Sequence, residues 1–354
     1  MQSNPFNYPR IMFSYFIRRF LLLIPTFFGI TLITFMILQV VPGGPLEMEI
    51  MRIRMGGAMG EGPSSTSSSS GINIPESAME EIKKFYGFDK PIYERYIVWV
   101  GNLFKLNLGK SYVYAEPVWD VITSRFPVSI YFGMISFLLT YMVCIPLGVY
   151  KAVKNGSTFD IISSAIVFIG YSIPGFALGA FLLVMFGGGS FLDWFPLGGF
   201  RSNDYDTLSS VDKIKDQIHH TVLPVISYVI SGFATLTILT KNSVIENLSQ
   251  DYIRTAFSKG ISEKRVIFYH ALRNSLIPIA TGLGHFLGIL VAGSFLIETV
   301  FNIDGIGLLG YKSIVQRDYP VVMGLLVINT LLLLIGNIIS DIIYAVVDPR
   351  IRFK

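Results

Sequence analysis

Charge is what this chain is shortest of. Asp, Glu, Lys and Arg together make up 15% of its 354 residues, against 52% hydrophobic. With a mean hydropathy of +0.56, that scarcity excludes a disordered chain and an ordinary water-soluble domain, in which about 25% of residues are charged. Cysteine occurs once, at Cys144, so no intramolecular disulfide can form and packing is its expected job. There are four histidines. His219 and His220 are adjacent and point to different sides of a helix, His270 and His285 stand alone, and H-E-x-x-H does not occur, so the zinc-helix pattern is absent. The phosphate loop G-x-x-x-x-G-K-[ST] is missing too: around Leu108-Gly109-Lys110-Ser111, Phe104 stands where the first glycine must be. Gly170-Tyr171-Ser172 fails the G-x-S-x-G spacing of a serine hydrolase. No basic patch interleaved with aromatics is present, which argues against nucleic acid as a partner. The expectation is therefore a non-enzyme, with no catalytic, cofactor-binding or metal-ligating residues of its own.

What the chain has instead is long stretches free of charge. Residues 20–41, 126–150, 161–192, 217–240, 274–297 and 319–340 contain no Asp, Glu, Lys or Arg. Each exceeds the roughly 20 residues that an α-helix needs to cross a bilayer. The expected fold is an all-α polytopic membrane protein with six spans, the sixth carried on to residue 346. The first span follows Arg18-Arg19 and has no small-residue cleavage site, so it reads as an uncleaved anchor. With the N-terminus inside, the cytoplasmic pieces are 1–19, the turn before 161, 241–273 and the tail 347–354. They hold 14 of the 28 basic residues but, even with Asp341 at the inner end of the sixth span, only six of the 24 acids, as the positive-inside rule expects. Both termini are then expected to be cytoplasmic.

The outer pieces are 42–125, 193–216 and 298–318. In the first, the Gly/Ser-rich stretch 57–71 cannot bury apolar surface and is expected to be a mobile loop. A helix is expected from Pro75 to Gly87, with its acids early and its lysines late. A second, over 92–104, puts Tyr96, Val100 and Leu103 on one face. The loop 193–216 carries Asp193, Asp204, Asp206, Asp212 and Asp216, either as a solvated surface or to meet a soluble partner. Ile173-Pro174-Gly175 predicts a kink or break in the third span.

The most informative segment is Asp251 to Pro278, DYIRTAFSKGISEKRVIFYHALRNSLIP, between the fourth and fifth spans. Ile253, Ala256 and Phe257 at i, i+3 and i+4 predict a short helix with one apolar face. Gly260 ends it, since glycine best takes the positive φ of a helix terminus. Ser262 is placed to cap a second helix, with Glu263 where the dipole favours an acid. A capped, glycine-hinged pair of helices is more than a connection requires.

This segment resembles the cytoplasmic "EAA" loop of permease subunits in ATP-binding-cassette importers, in the variant of the peptide importers. Aligned on Gly260, Arg254-Thr255-Ala256 occupies the E-A-A triplet and His270-Ala271-Leu272-Arg273 the closing I-x-L-P, so the glutamate and the proline of the general pattern are absent. The first span with its GGP exit, YGFDKPIYERY at 86–96, TKNS at 240–243, ETVFNIDGIGLLGY at 298–311, RDYPVV at 317–322 and the terminal DPRIRF are similar to peptide permeases as well. They look most like the branch that imports oligopeptides and peptide antibiotics such as microcin C.

The resemblance implies a type I importer permease with a MetI-like core over the second to sixth spans and a helical insert on the outer side. It implies a second, homologous permease as heterodimer partner, two ABC ATPase domains that bind ATP and magnesium, and an extracytoplasmic peptide-binding protein. The residues it assigns to ATPase coupling are Tyr252, Arg254, Thr255, Ala256, Lys259, Gly260 and Glu263. For the substrate path, polar residues inside the spans are candidates: Thr235, His285 and Asn329 above all, with Thr237, Thr240, Ser275 and Asn337 beside them. Hydrogen bonding between helices is the competing account of each. The alternative class, a stand-alone gradient-driven secondary transporter or channel, needs intramembrane acids, and none falls inside the charge-free runs.

Overall fold

The computed structural model describes residues 8–40, 80, 84, 89–189, 191–282 and 293–347. Among them there is no strand, only two isolated bridges, Lys110–Pro117 and Gly187–Phe195. The helices are α1 (Tyr8–Val40), α2 (Ile92–Phe104), α3 (Val118–Thr123), α4 (Phe126–Val153), α5 (Thr158–Ser172), α6 (Gly175–Phe186), α7 (Ser210–Leu248) and α8 (Asp251–Ser258). There follow α9 (Glu263–Arg265), a wide π turn (Val266–Ala271), α10 (Leu272–Ser275), α11 (Ile277–Gly282), α12 (Phe295–Val300), α13 (Ile306–Val315) and α14 (Tyr319–Val347). The stretch 57–71, residues 283–292 and the tail from 348 lie outside the described residues, as does the helix expected over 75–87 apart from residues 80 and 84.

Among the described residues, four helical stretches are long and apolar enough to cross a bilayer: Ile17–Val40, Val118–Val153, Ser210–Leu248 and Tyr319–Ile343. The pair α5 and α6 makes a fifth if it is counted as one span, bent by 92°. The run 274–297, expected as a further span, is helical as far as Gly282. The bend comes from local chemistry. Pro174 has no N–H to donate and drives the residue before it out of helical geometry, and Ile173 is extended at φ −96°, ψ 119°. Helix α7 exceeds its charge-free run at both ends. Ser209 caps it, accepting from the Asp212 amide at 3.3 Å, so Asp212 and Asp216 stand on its first turns rather than in a loop.

The described chain divides into two compact units, Met1–Leu21 with Arg125–Leu309 and Leu331–Lys354, and Leu22–Ser124 with Gly310–Thr330. The first is organised on the crossing of α4 and α7. At Gly148 a Cβ would lie 2.6 Å from Thr240 Cβ and 2.8 Å from the Thr237 carbonyl, so the absent side chain is what lets the two backbones meet. Phe132, Leu223, Val225, Ile297, Phe301 and Ile303 form a buried cluster towards the other end of these helices. Outside this packing the surface is apolar: Ile161, Ile162, Ile166, Phe168 and Ile169 of α5 are all exposed. A water-soluble protein does not leave so continuous a patch uncovered, whereas hydrocarbon solvates it at no cost.

In the second unit, α2 packs on residues 22–40 of α1. Tyr96 and Trp99, stacked on each other, meet Phe35 at tilted angles, and the Tyr96 hydroxyl lies 3.0 Å from Thr31 Oγ1. Tyr96, Val100 and Leu103 are half-buried on that side while Tyr93, Ile97 and Phe104 are exposed, as the spacing predicts. The Asp318 carboxylate gathers the 111–113 turn, accepting from Ser111 Oγ at 2.5 Å and from the amides of Tyr112 and Val113 at 3.1 and 3.3 Å.

A methyl group at the α4–α7 contact has nowhere to go. Gly148→Ala is expected to force the helices apart at an overpacking cost of about 1–3 kcal/mol. This would appear as a lowered Tm in detergent, and an unchanged Tm would show the crossing to be slack.

Candidate functional site

The segment between α7 and α11 folds as an elbow with a core of its own. Helix α8 ends in a Schellman turn: the Gly260 amide donates to Phe257 O at 2.9 Å and the Ile261 amide to Ala256 O at 3.3 Å. Gly260 takes φ +75°, the left-handed conformation that a Cβ disfavours. Ile253 and Ala256 from α8 pack with Val266 and Ala271, and Leu248 and Ile261 close the cluster. The second helix starts at Ser262, whose backbone (φ −60°, ψ 144°) is that of an N-cap. Its hydroxyl makes no capping bond, contrary to expectation; the residue is exposed and solvent competes for it.

Six of the seven residues assigned to coupling, Tyr252, Arg254, Thr255, Lys259, Gly260 and Glu263, are exposed on this elbow. Ala256 is not. It is buried in the elbow's own cluster, so its small size serves the turn and not the approach of another protein. Phe257, expected on the apolar inner face, is instead 46% exposed, because the hinge packs α8 through Ile253 and Ala256 alone. Phe268 and Tyr269, at 59% and 72% exposure, add two rings to the same segment's outer surface.

Polar contacts bind the elbow to both helices it joins. The Tyr252 hydroxyl donates to Asn247 Oδ1 at 2.9 Å, at the end of α7, and accepts from Asn274 Nδ2 at 3.0 Å, in α10. Deeper in, Ser243 Oγ donates to Ser275 O at 2.9 Å and Ser275 Oγ to Ser243 O at 3.2 Å. Sequence reasoning missed these pairs. A 32-residue separation across a hinge leaves no periodic signal.

Nearby, the turn between α4 and α5 is locked to α7 by a buried ion cluster. The Lys241 ammonium lies 2.8 and 2.7 Å from the two Asp160 oxygens. Lys151, almost wholly buried, lies 3.2 Å from Asp160 Oδ1 and donates to the Asp160 carbonyl, Ser163 Oγ and Ser164 Oγ at 3.0, 2.7 and 2.8 Å. The Gly156 amide supplies Asp160 with a further donor at 3.1 Å. Taking the Lys151 ammonium out of water is tolerable because the Asp160 carbonyl, two serine hydroxyls and the Asp160 carboxylate all receive it.

The path candidates are dispersed. Thr235 is on an exposed face of α7, Asn329 is half-buried in α14, and His285 lies outside the described residues. Thr240 is buried with its hydroxyl on Leu236 O of its own helix at 2.7 Å, and Ser275 bonds across to Ser243, so both hydroxyls are engaged within the protein. His219 and His220 are structural: both bond to the preceding loop, His220 Nδ1 to Gly199 O at 3.2 Å and Nε2 to Ser202 Oγ at 3.1 Å. Asp216, expected as part of an acidic surface, is turned onto Ser202 in the same network. Asp341 is within α14, bonded to Arg19.

Glu298, just past the end of the charge-free run 274–297, is buried. Its carboxylate accepts from the amides of Leu308 at 2.6 Å and Ser294 at 3.3 Å and from the Tyr228 hydroxyl at 3.4 Å. It thereby caps α13 and folds residues 294–308 into a hairpin. Arg125 reaches Asp304 at 3.1 Å, and Ser129 Oγ accepts from the Ile306 amide at 2.8 Å, pinning the hairpin onto α4.

Comparison with known proteins agrees with this architecture. Residues 144–353 match the family described as "Binding-protein-dependent transport system inner membrane component". The chain is 44% identical to the inner membrane ABC transporter permease protein YejB of Escherichia coli O157:H7, over 97% of this chain and all of that one. It is 39% identical to the peptidoglycan transport system permease protein YejB of Agrobacterium fabrum, covering 97% of this chain and 99% of the other. To the oligopeptide transport system permease protein AppB of Bacillus subtilis it is 36% identical, over 97% and 100%.

The ion cluster generates a stability test. Asp160→Asn leaves two lysines without their shared anion and is expected to destabilise the protein by about 3–5 kcal/mol, read as a loss of Tm in detergent. Adding Lys151→Met, which removes the more deeply buried cation, should restore part of that loss.

Proposed function

This chain belongs to the family of binding-protein-dependent transport system inner membrane components, and from that premise we propose that it is the permease subunit of an ATP-driven importer of oligopeptides. The importer's other parts are a second permease of similar core, two ATPase domains that bind ATP and magnesium, and a peptide-binding protein outside the membrane. Peptide antibiotics of the microcin C type fall within the same cargo class. The elbow and both termini face the cytoplasm, on the side where the basic residues concentrate.

One observation carries the reading: the elbow is packed within itself and bonded at its base, yet displays a cationic and aromatic surface that its own fold does not use. Arg254, Phe257 and Lys259 are exposed on α8 and its turn, and Arg254 makes a 3.5 Å pair with the equally exposed Asp251 that solvent leaves weak. An ATPase groove with acidic residues accepts such a short helix, Arg254 and Lys259 pairing with the acids while Phe257 fills an apolar floor. When ATP draws the two ATPase domains together, the docked helix moves with them. The Tyr252 and Ser243–Ser275 bonds oblige the ends of α7 and α10 to follow. Two discrete arrangements of the spans, open to one side or the other, are then biased by nucleotide and by the loaded binding protein.

Thr235, on the exposed face of α7, is assigned to the surface shared with the second permease, where the peptide passes. His285 and Asn329 are assigned to the same path. The secondary-transporter alternative gains nothing from Glu298, whose carboxylate is occupied by amides and a hydroxyl in a structural hairpin.

Gly260→Pro cannot adopt φ +75° and loses the amide that Phe257 accepts from. It is expected to bring uptake of a labelled tripeptide down to background while the protein stays at normal abundance in the membrane. Arg254→Glu with Lys259→Glu should leave the elbow folded and abolish recovery of an ATPase with the purified protein. Uptake at the wild-type rate in both variants would sink the coupling role.

A further inference from the structure

Within the second unit lies a cavity of about 740 Å³ that the transport reading does not use. Its walls come from the last turn of the described part of α1 (Leu38, Gln39), from α2, from the 107–115 turn and from the first turns of α14 (Tyr319, Pro320, Met323). Those positions fix its depth. Gln39 is where one membrane-crossing helix finishes and Tyr319 is where another starts, so the cavity sits at the level of the lipid headgroups.

The charge lining it is lopsided. Lys84, Lys90, Arg95 and Lys110 face one carboxylate, that of Asp89. Asp318, beside the 111–113 turn, is consumed by Ser111 and two backbone amides. Among the described residues, no carboxylate lies within ion-pair distance of Lys84, Lys90 or Lys110. Arg95 is anchored by a 2.7 Å bond to Gln39 Oε1, which orients its guanidinium at the end of α1. Burial draws the Arg95 pKa below its ordinary value, the mark of a cation short of solvent. The rest of the wall includes Trp99 and Tyr112 with the apolar Phe35, Leu38 and Val98, beside the polar Asn102 and Asn107. Cations at headgroup depth beside an apolar, aromatic wall match a molecule with an anionic phosphodiester at one end and acyl chains at the other.

We propose that this cavity is a binding site for an anionic phospholipid, whose phosphodiester is held by Arg95, Lys90 and Lys110 while its chains follow the α1–α2 surface. A lipid held there would lie against the start of α14, the end of α1 and the insert helix α2 at once, its headgroup on the insert's cations and its chains on apolar wall. A free phosphate ion offers the same oxygens without the chains, and the test separates the two.

The full-length protein is placed in nanodiscs of phosphatidylcholine containing a minor share of phosphatidylglycerol, and the lipids it retains on release are identified by native mass spectrometry. Retention of a phosphatidylglycerol by the wild type, and its loss in Lys90→Gln with Lys110→Gln, is the expected result. Both lysines are exposed, so this variant should keep the wild-type Tm in plain phosphatidylcholine; Arg95→Gln provides a second, more deeply placed variant. Equal retention in wild type and variants, or retention without preference over phosphatidylcholine, would overturn the site. Displacement of the lipid by millimolar inorganic phosphate would overturn the lipid assignment in favour of a soluble anion.

Discussion

A carboxylate that receives two lysines at once cannot move without both helices that carry them. Asp160 holds this position at the foot of the α4–α7 pair, with Lys151 and its two serine acceptors on one side and Lys241 on the other. Two turns beyond Lys241, α7 ends and the elbow begins. The rest of this region follows from that lock. Gly148 draws the helices together above it, the reciprocal Ser243–Ser275 bonds tie in the next helix, and Tyr252 bridges the two sides of the elbow. A displacement applied to α8 meets no slack joint before it reaches the spans.

The other end of the same helices is secured by different means, because among the described residues no ion pair is made by its central acid. Glu298 is satisfied by two amides and a tyrosine hydroxyl, and the hairpin so formed seats Phe301 and Ile303 in the cluster around Phe132. Between the two ends, hydrogen bonding and close packing hold the helices together, since lipid gives apolar side chains no reason to hide. That is why α5 can present isoleucine after isoleucine to its surroundings while small residues such as Gly148 sit at the contacts.

Much of this was legible in the sequence where a single residue type dictates a backbone state. Gly260 announced the hinge, Pro174 the break, and the spacing of Tyr96, Val100 and Leu103 the inward face of α2. Faces on very short helices were less secure. With eight residues in α8, periodicity did not separate Phe257 from Ala256, and the hinge decided which of them was enclosed. Runs without charge located the spans but not the helix ends, because a helix continues into charged turns when Ser209 caps it. Contacts between residues far apart, such as Asp160 with Lys241 or Tyr252 with Asn274, left no trace in local pattern at all.

The wide turn at Val266–Ala271 reaches further than its six residues. An α-helix sweeps about 100° per residue, so three successive side chains fan over too broad an arc to share one side. A π turn spreads the same rotation over more residues, and Phe268, Tyr269 and His270 accordingly all stand in the open. Beyond it the phase is reset, with Ala271, Ser275 and Ile279 turned inward at intervals of four. Two large rings are thereby shown side by side with His270 on the elbow's outer surface.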